Sequence, residues 1–122
     1  MLIPHLHFDG NCADAIALYE KVFHTKAKNF DYRDGQISHA EMRIHGQTIF
    51  LNDGKAFFSG AFGIDCAAHL VLTFNKPEEL LACYEVLKAD GGAPAPFHEA
   101  PYSKLTGNFV DAFGVLWGFI VL

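Results

Sequence analysis

Apolar and polar residues alternate over several short stretches of this chain, and two longer stretches repeat every three or four residues. Residues 3–9 read as a strand, with His5 and His7 on one face and Leu6 and Phe8 on the other. Gly10-Asn11 breaks it, and Asn11 is placed to cap a helix over 13–23, with Asp14 at the capping-box spacing. Ala15, Leu18, Tyr19 and Val22 would form the buried stripe of that helix. Strands are predicted over 27–32, 37–44 and 48–52, separated by turns at Arg33-Asp34-Gly35-Gln36 and His45-Gly46-Gln47. Within 37–44, Ile37, His39, Glu41 and Arg43 alternate with Ser38, Ala40, Met42 and Ile44.

Residues 53–67 break the alternation. Gly54, Gly60 and Gly63 are interleaved with Phe57, Phe58 and Phe62, a composition that predicts a loop whose aromatics fold over the core edge or over a ligand. The order of elements then returns. A strand is predicted over 69–75. A helix opens at Lys76-Pro77 with Glu78 and Glu79 in its first turn, buries Leu80, Leu81, Tyr84 and Leu87, and ends at Gly91-Gly92. Strands follow over 95–100, 106–111 and 115–121, with Ala112-Phe113-Gly114 turning between the last two. His5-Leu6-His7-Phe8 is echoed by His69-Leu70-Val71-Leu72, and Ala17-Leu18-Tyr19-Glu20 by Ala82-Cys83-Tyr84-Glu85, at a spacing of about 64 residues. The expectation is an α+β chain of paired βαβββ modules, with curved mixed sheets and helices on the outer face. It forms a single domain over 1–122, with module one over about 1–53, a loop over 54–67 and module two over about 68–122.

Composition narrows the class of function. With 122 residues, 51% of them hydrophobic and 19% charged, the chain is long enough and apolar enough to bury a core. Twelve phenylalanines imply heavy aromatic packing or an aromatic-lined cavity. The net charge of -5, with no Lys/Arg cluster, argues against nucleic acid and membrane surfaces as partners. Cys12, Cys66 and Cys83 are odd in number and scattered, without a CxxC pair, which fits a reducing cytoplasm better than a disulfide framework or zinc ribbon. Neither a secretory leader nor a membrane-spanning run is expected.

Seven histidines are the main chemical signal. Strand parity puts His5 and His7 on one face and His39 with Glu41 on another shared face, and His69 opens the fifth strand. Imidazoles and a carboxylate lining a common cavity are suited to a divalent metal (zinc, nickel, manganese or iron) that would polarise a small oxygenated substrate. Cys12 stands in the first turn of a helix but has no base near it in sequence, so a structural role is expected.

Several segments resemble the PhnB-like branch of the vicinal oxygen chelate (glyoxalase/bleomycin resistance/dioxygenase) superfamily. They are residues 8–19 (FDGNCADAIALY), residues 38–44 (SHAEMRI) followed by Asn52-Asp53, and residues 111–117 (DAFGVLW), where Ala112 replaces the usual proline. The resemblance implies the paired βαβββ fold and a homodimer. In the superfamily's enzymes a metal is held from the first and last strands of each module. Here those positions fall near His5, near Asn52, near His69 and at Gly118, and glycine offers no ligand atom. Three readings stay open. One is a metal-dependent lyase, isomerase or dioxygenase with a non-standard metal site, His5 and His69 as ligands and Glu41 as the catalytic candidate. The second is a metal-free protein binding a small molecule through His7, His39, Asn52, Phe57, Phe62, Trp117 and Phe119. The third is a structural homodimer with neither activity.

Overall fold

The computed structural model describes residues 1–63, 68–90, 92 and 95–122. Among them, eight strands and three helices follow in the order β1 (His5–His7), α1 (Cys12–Phe23), β2 (Lys28–Arg33), β3 (Gln36–Ile44), β4 (Gln47–Asn52), α2 (Lys55–Phe62), β5 (Leu70–Phe74), α3 (Pro77–Leu87), β6 (His98–Ala100), β7 (Ser103–Val110) and β8 (Leu116–Val121). The chain divides into two compact units, Met1–Cys66 and Ala67–Leu122. Each holds one mixed four-stranded sheet, ordered β1-β4-β3-β2 in the first and β5-β8-β7-β6 in the second. In each, the first and last strands run parallel, and the two hairpin partners beyond run antiparallel. This is the expected βαβββ order, twice.

In unit 1, Cys12, Ala15, Ile16 and Tyr19 of α1 are buried, a stripe at the spacing of one helix face. They share the unit's core with Phe8, Ala40, Met42, Ile44, Ile49 and Leu51. The stripe is shifted toward the N-terminus from the predicted one, and Leu18 and Val22 are only half-buried. Ile37 is buried too, although it had been grouped with the polar face of β3. The ladder between β2 and β3 shifts register near Asp31, and Asn29 takes a positive φ of 56°. The start of α1 also differs from expectation. Asn11 makes no side-chain cap, and the Asp53 carboxylate fills that role from the far end of β4. Its Oδ1 accepts from the Cys12 N–H at 2.9 Å, and its Oδ2 accepts from the Ile37 N–H at 3.1 Å.

In unit 2, the core is aromatic. Tyr84 of α3 meets Phe109 edge-on at 4.9 Å, and Phe109 meets Phe119 edge-on at 4.9 Å. Leu80 and Leu87 complete the buried face of α3, while Leu81, predicted to be part of it, is 43% exposed. The strands over β5 to β8 are shorter at their ends than predicted or shifted by a few residues.

The largest departure is α2. The stretch predicted as a loop is helical over Lys55–Phe62 and closes at Gly63, whose φ of 60° suits glycine. Gly60 suggested flexibility, but a helix interior tolerates one glycine at a cost of about 1 kcal/mol. The rest of that predicted loop, residues 64–67 with Cys66, lies outside the described residues, as does Gly91 of the predicted helix stop.

Candidate functional site

The outward face of the unit 1 sheet is built by register. β1 and β4 pair His5 with Phe50 and His7 with Asn52, and β4 and β3 pair Phe50 with Glu41. Glu41 in turn stands opposite Lys28 of β2, and His39 opposite Asp31. Since alternate residues share a face, His5, His7, Phe50, Asn52, His39 and Glu41 all lie opposite the buried Ala40, Met42, Ile49 and Leu51. Adjacent strands are about 4.8 Å apart, so this face carries its polar groups at hydrogen-bonding or one-ligand spacings.

The side chains make contacts of their own. The His5 and His7 rings are 4.4 Å apart. His7 Nδ1 lies 2.7 Å from Asn52 Oδ1, which also accepts from the Gly54 N–H at 2.9 Å. An oxygen that already takes one N–H must take the other, so His7 carries its proton on Nδ1 and presents Nε2 as an acceptor. Phe58 of α2 stacks on His7 with centroids 4.1 Å apart and planes 25° from parallel. Phe50 receives the edge of His39 at 4.8 Å and lies edge-on to His5 at 5.9 Å.

Charge on this face is largely settled internally. His39 Nε2 donates to Glu41 Oε2 at 3.0 Å. That bond holds the Glu41 carboxyl below its usual range, with lesser help from Asn29 and Lys28 and against the effect of burial. Arg43 turns toward its own hairpin, where it donates to Thr48 Oγ1 at 3.3 Å and to the Gly46 carbonyl. His5 has an outer edge in solvent, yet burial of the rest, followed by the nearby His7 and His39, pushes its imidazole down to about 4. It is therefore uncharged at neutral pH.

The other predicted site residues fall elsewhere. Phe57 and Phe62 lie on α2 with Phe58 but are 63% and 64% exposed. Trp117 and Phe119 are wholly buried in unit 2, and Trp117 Nε1 donates to Asp111 Oδ2 at 2.9 Å. They are core residues because Gly118 between them occupies the opposite face of β8, and strand neighbours cannot share a face. His5 belongs to unit 1 and His69 to unit 2. The sequence singles out Phe58 together with Phe57 and Phe62 but not Phe50, which parity with Asn52 would have found; that Phe58 is the ring stacked on His7 follows from the helical geometry of α2.

A Cβ built on Gly118 would meet Asn108 Oδ1 at 2.9 Å and His69 Nε2 at 3.0 Å, so those side chains already fill the space a ligating carboxylate would need. Asn52, at the corresponding end of β4, has its oxygen committed to His7 and Gly54. Among the described residues, no three His, Cys, Asp or Glu side chains come together as a ligand set. The residues present do not fit the superfamily's four-position metal.

Comparison with known proteins places the chain. The family described as 3-demethylubiquinone-9 3-methyltransferase matches residues 1–120. The chain belongs to that family. It is similar to protein YjdN of Escherichia coli K12, 30% identical over an alignment 141 positions long that covers 95% of this chain and 91% of YjdN. In structure it is similar to a PhnB protein from Bacillus cereus at TM-score 0.82 and 24% identity, covering 99% of this chain and 98% of that one. A glyoxylase/bleomycin resistance protein/dioxygenase domain from Frankia shares the fold at TM-score 0.64 and 19% identity, covering 98% and 87%. The fold is thus that of PhnB and glyoxalase-like proteins. Among the described residues, no helix is long and apolar enough to cross a membrane.

Proposed function

We propose that this chain is a glyoxalase/bleomycin resistance-type protein that binds a small molecule on the outward face of its unit 1 sheet, without a metal. One observation carries the reading. The registered pairs His5–Phe50–Glu41 and His7–Asn52, with His39, put imidazoles, a carboxylate and an aromatic ring on one face, and Phe58 adds a second ring above. That is the usual make-up of a small-molecule site: apolar walls with a few fixed polar groups. His7 Nε2 and the uncharged His5 accept hydrogen bonds, and the aromatic rings supply contact area. The repeat of the βαβββ order and the likeness to the Frankia domain support the superfamily assignment. The free thiols of Cys12 and Cys83 support a reducing compartment such as the cytoplasm.

The family's description names methyl transfer, which none of the residues on this face accounts for. The metalloenzyme reading is less well supported, because Gly118 has no ligand atom and the Asn52 oxygen is taken by His7 and Gly54. The test is equilibrium dialysis of protein purified without a histidine tag against zinc, nickel, manganese or ferrous iron, followed by metal analysis. Well under one equivalent retained is the expected result. A stoichiometric metal that is lost in a His5→Ala/His69→Ala double variant would overturn the metal-free reading.

A further inference from the structure

We infer that the place now filled by the Phe58 ring over His7 is the seat of an uncharged planar aromatic ligand bearing a hydroxyl group, and that α2 moves aside to admit it. This rests on the unit 1 binding site proposed above and names what it binds.

The geometry of α2 argues for displacement. None of its residues is buried, and Phe58 is the only one not exposed. Beyond its first residue, where the Lys55 N–H donates to the Phe8 carbonyl at 3.2 Å, the helix meets unit 1 through the Phe58 ring, stacked on His7 at 4.1 Å and reaching His5 at 6.4 Å. Gly54 precedes the helix and Gly63 closes it. A flat phenyl ring parallel to an imidazole is the contact that a planar aromatic ligand would make, so Phe58 acts as an internal competitor for it. Phe57 and Phe62 pack on Phe58 at 5.1 Å and 5.9 Å and stay open on their outer sides. The three rings can shift together without unpacking a core.

The polar groups argue for the hydroxyl and against an anion. His7 Nε2 is an acceptor because its Nδ1 proton goes to Asn52. His39 donates from Nε2 to Glu41, so that nitrogen is not available to a ligand anion. Arg43 is turned to Thr48 and Gly46, and Lys28 stands across from Glu41, whose carboxyl it helps hold below its usual range. A ligand carboxylate would meet acceptors and the Glu41 charge, whereas a hydroxyl donates to what is there.

The test titrates the intact chain and a Phe58→Ala variant with 2-naphthol and with 2-naphthoate, following backbone amide shifts by NMR. Removing the competing ring should tighten 2-naphthol by about tenfold, the worth of one aromatic pair. 2-Naphthoate should bind both proteins at least about tenfold more weakly than the naphthol. A Ser59→Ala variant, at an exposed position of α2 that carries no ring, should behave as the parent and controls for substitution in α2 as such. Weaker naphthol binding in Phe58→Ala would make Phe58 a fixed wall and overturn displacement alone. Preference for naphthoate would overturn the ligand class alone. Absence of binding to both proteins would overturn the unit 1 site as well.

Discussion

Replacing Asp111 should cost this protein more stability than any other single polar substitution in unit 2. Asp111 is 3% exposed at the turn between β7 and β8. Its Oδ1 accepts from the N–H groups of Phe113 at 2.8 Å and Val115 at 3.0 Å, and its Oδ2 from Trp117 Nε1 at 2.9 Å. Phe113 and Val115 are half-exposed, so water can replace their partner and each loss amounts to about 1 kcal/mol. Trp117 is wholly buried, and stranding its indole N–H adds about 2 kcal/mol. Asp111→Ala should therefore lose about 4 kcal/mol, a large share of the roughly 5–15 kcal/mol of a typical domain. Asp111→Asn keeps an oxygen for the two backbone donors but turns an amide toward the indole N–H, and should lose about 2 kcal/mol. Urea unfolding followed by fluorescence of Trp117, the single tryptophan, measures both. At a slope of about 2 kcal/mol per molar, the midpoint should fall by about 2 M for alanine and 1 M for asparagine. A fall of less than about 0.5 M for alanine would refute the assignment of these bonds as a buried clamp.

Other outcomes follow from unit 1. Asn52→Ala removes the acceptor of both the Gly54 N–H and His7 Nδ1, so urea midpoints should show a loss of about 1–2 kcal/mol, and no loss would contradict the geometry. The His5 imidazole titrates near 6.5 when unfolded and is pushed down to about 4 when folded. Between those values the unfolded chain binds more protons, so stability should fall as pH drops from 6.5 toward 4. His5→Gln should reduce the difference between urea midpoints at pH 7 and pH 5, and an unchanged difference would place the acid sensitivity elsewhere. Burial, then the Asp53 carboxylate, pushes the Cys12 thiol up to about 12. Iodoacetamide at pH 8 followed by peptide mapping should leave Cys12 unlabelled until the protein unfolds, and prompt labelling of the native protein would count against its burial.

The fold was largely legible because it repeats. Period-two alternation and the His5/His69 echo located the strands of both modules, and the structure adds the parallel pairing of first and last strands. Strand parity also placed His5 and His7 on one face, where their rings are 4.4 Å apart. What parity could not show was which face was the core when both neighbours were apolar. Trp117 and Phe119 looked like ligand-binding aromatics, but they pack under α3, while Gly118 takes the outward position. The corresponding outward pairs differ in chemistry, His7 with Asn52 in unit 1 and Val71 with Gly118 in unit 2. Long-range hydrogen bonds were not legible at all. Asp53 caps α1 from 41 residues away, and the Asp111 motif that carried the family resemblance is a structural clamp rather than a site. Helix α2 was missed because its glycines and phenylalanines resemble a loop until Phe58 finds His7.

Metal-free binding of a small molecule to the unit 1 face is tested most directly by one titration. Protein freed of metal by EDTA is titrated with 2-naphthol while backbone amide shifts are followed. Saturable shifts centred on His7, Asn52 and Phe58, unchanged when zinc or nickel is added, are the result expected. Shifts confined to unit 2 around His69 and Asn108, or binding that appears only with added metal, would contradict the account.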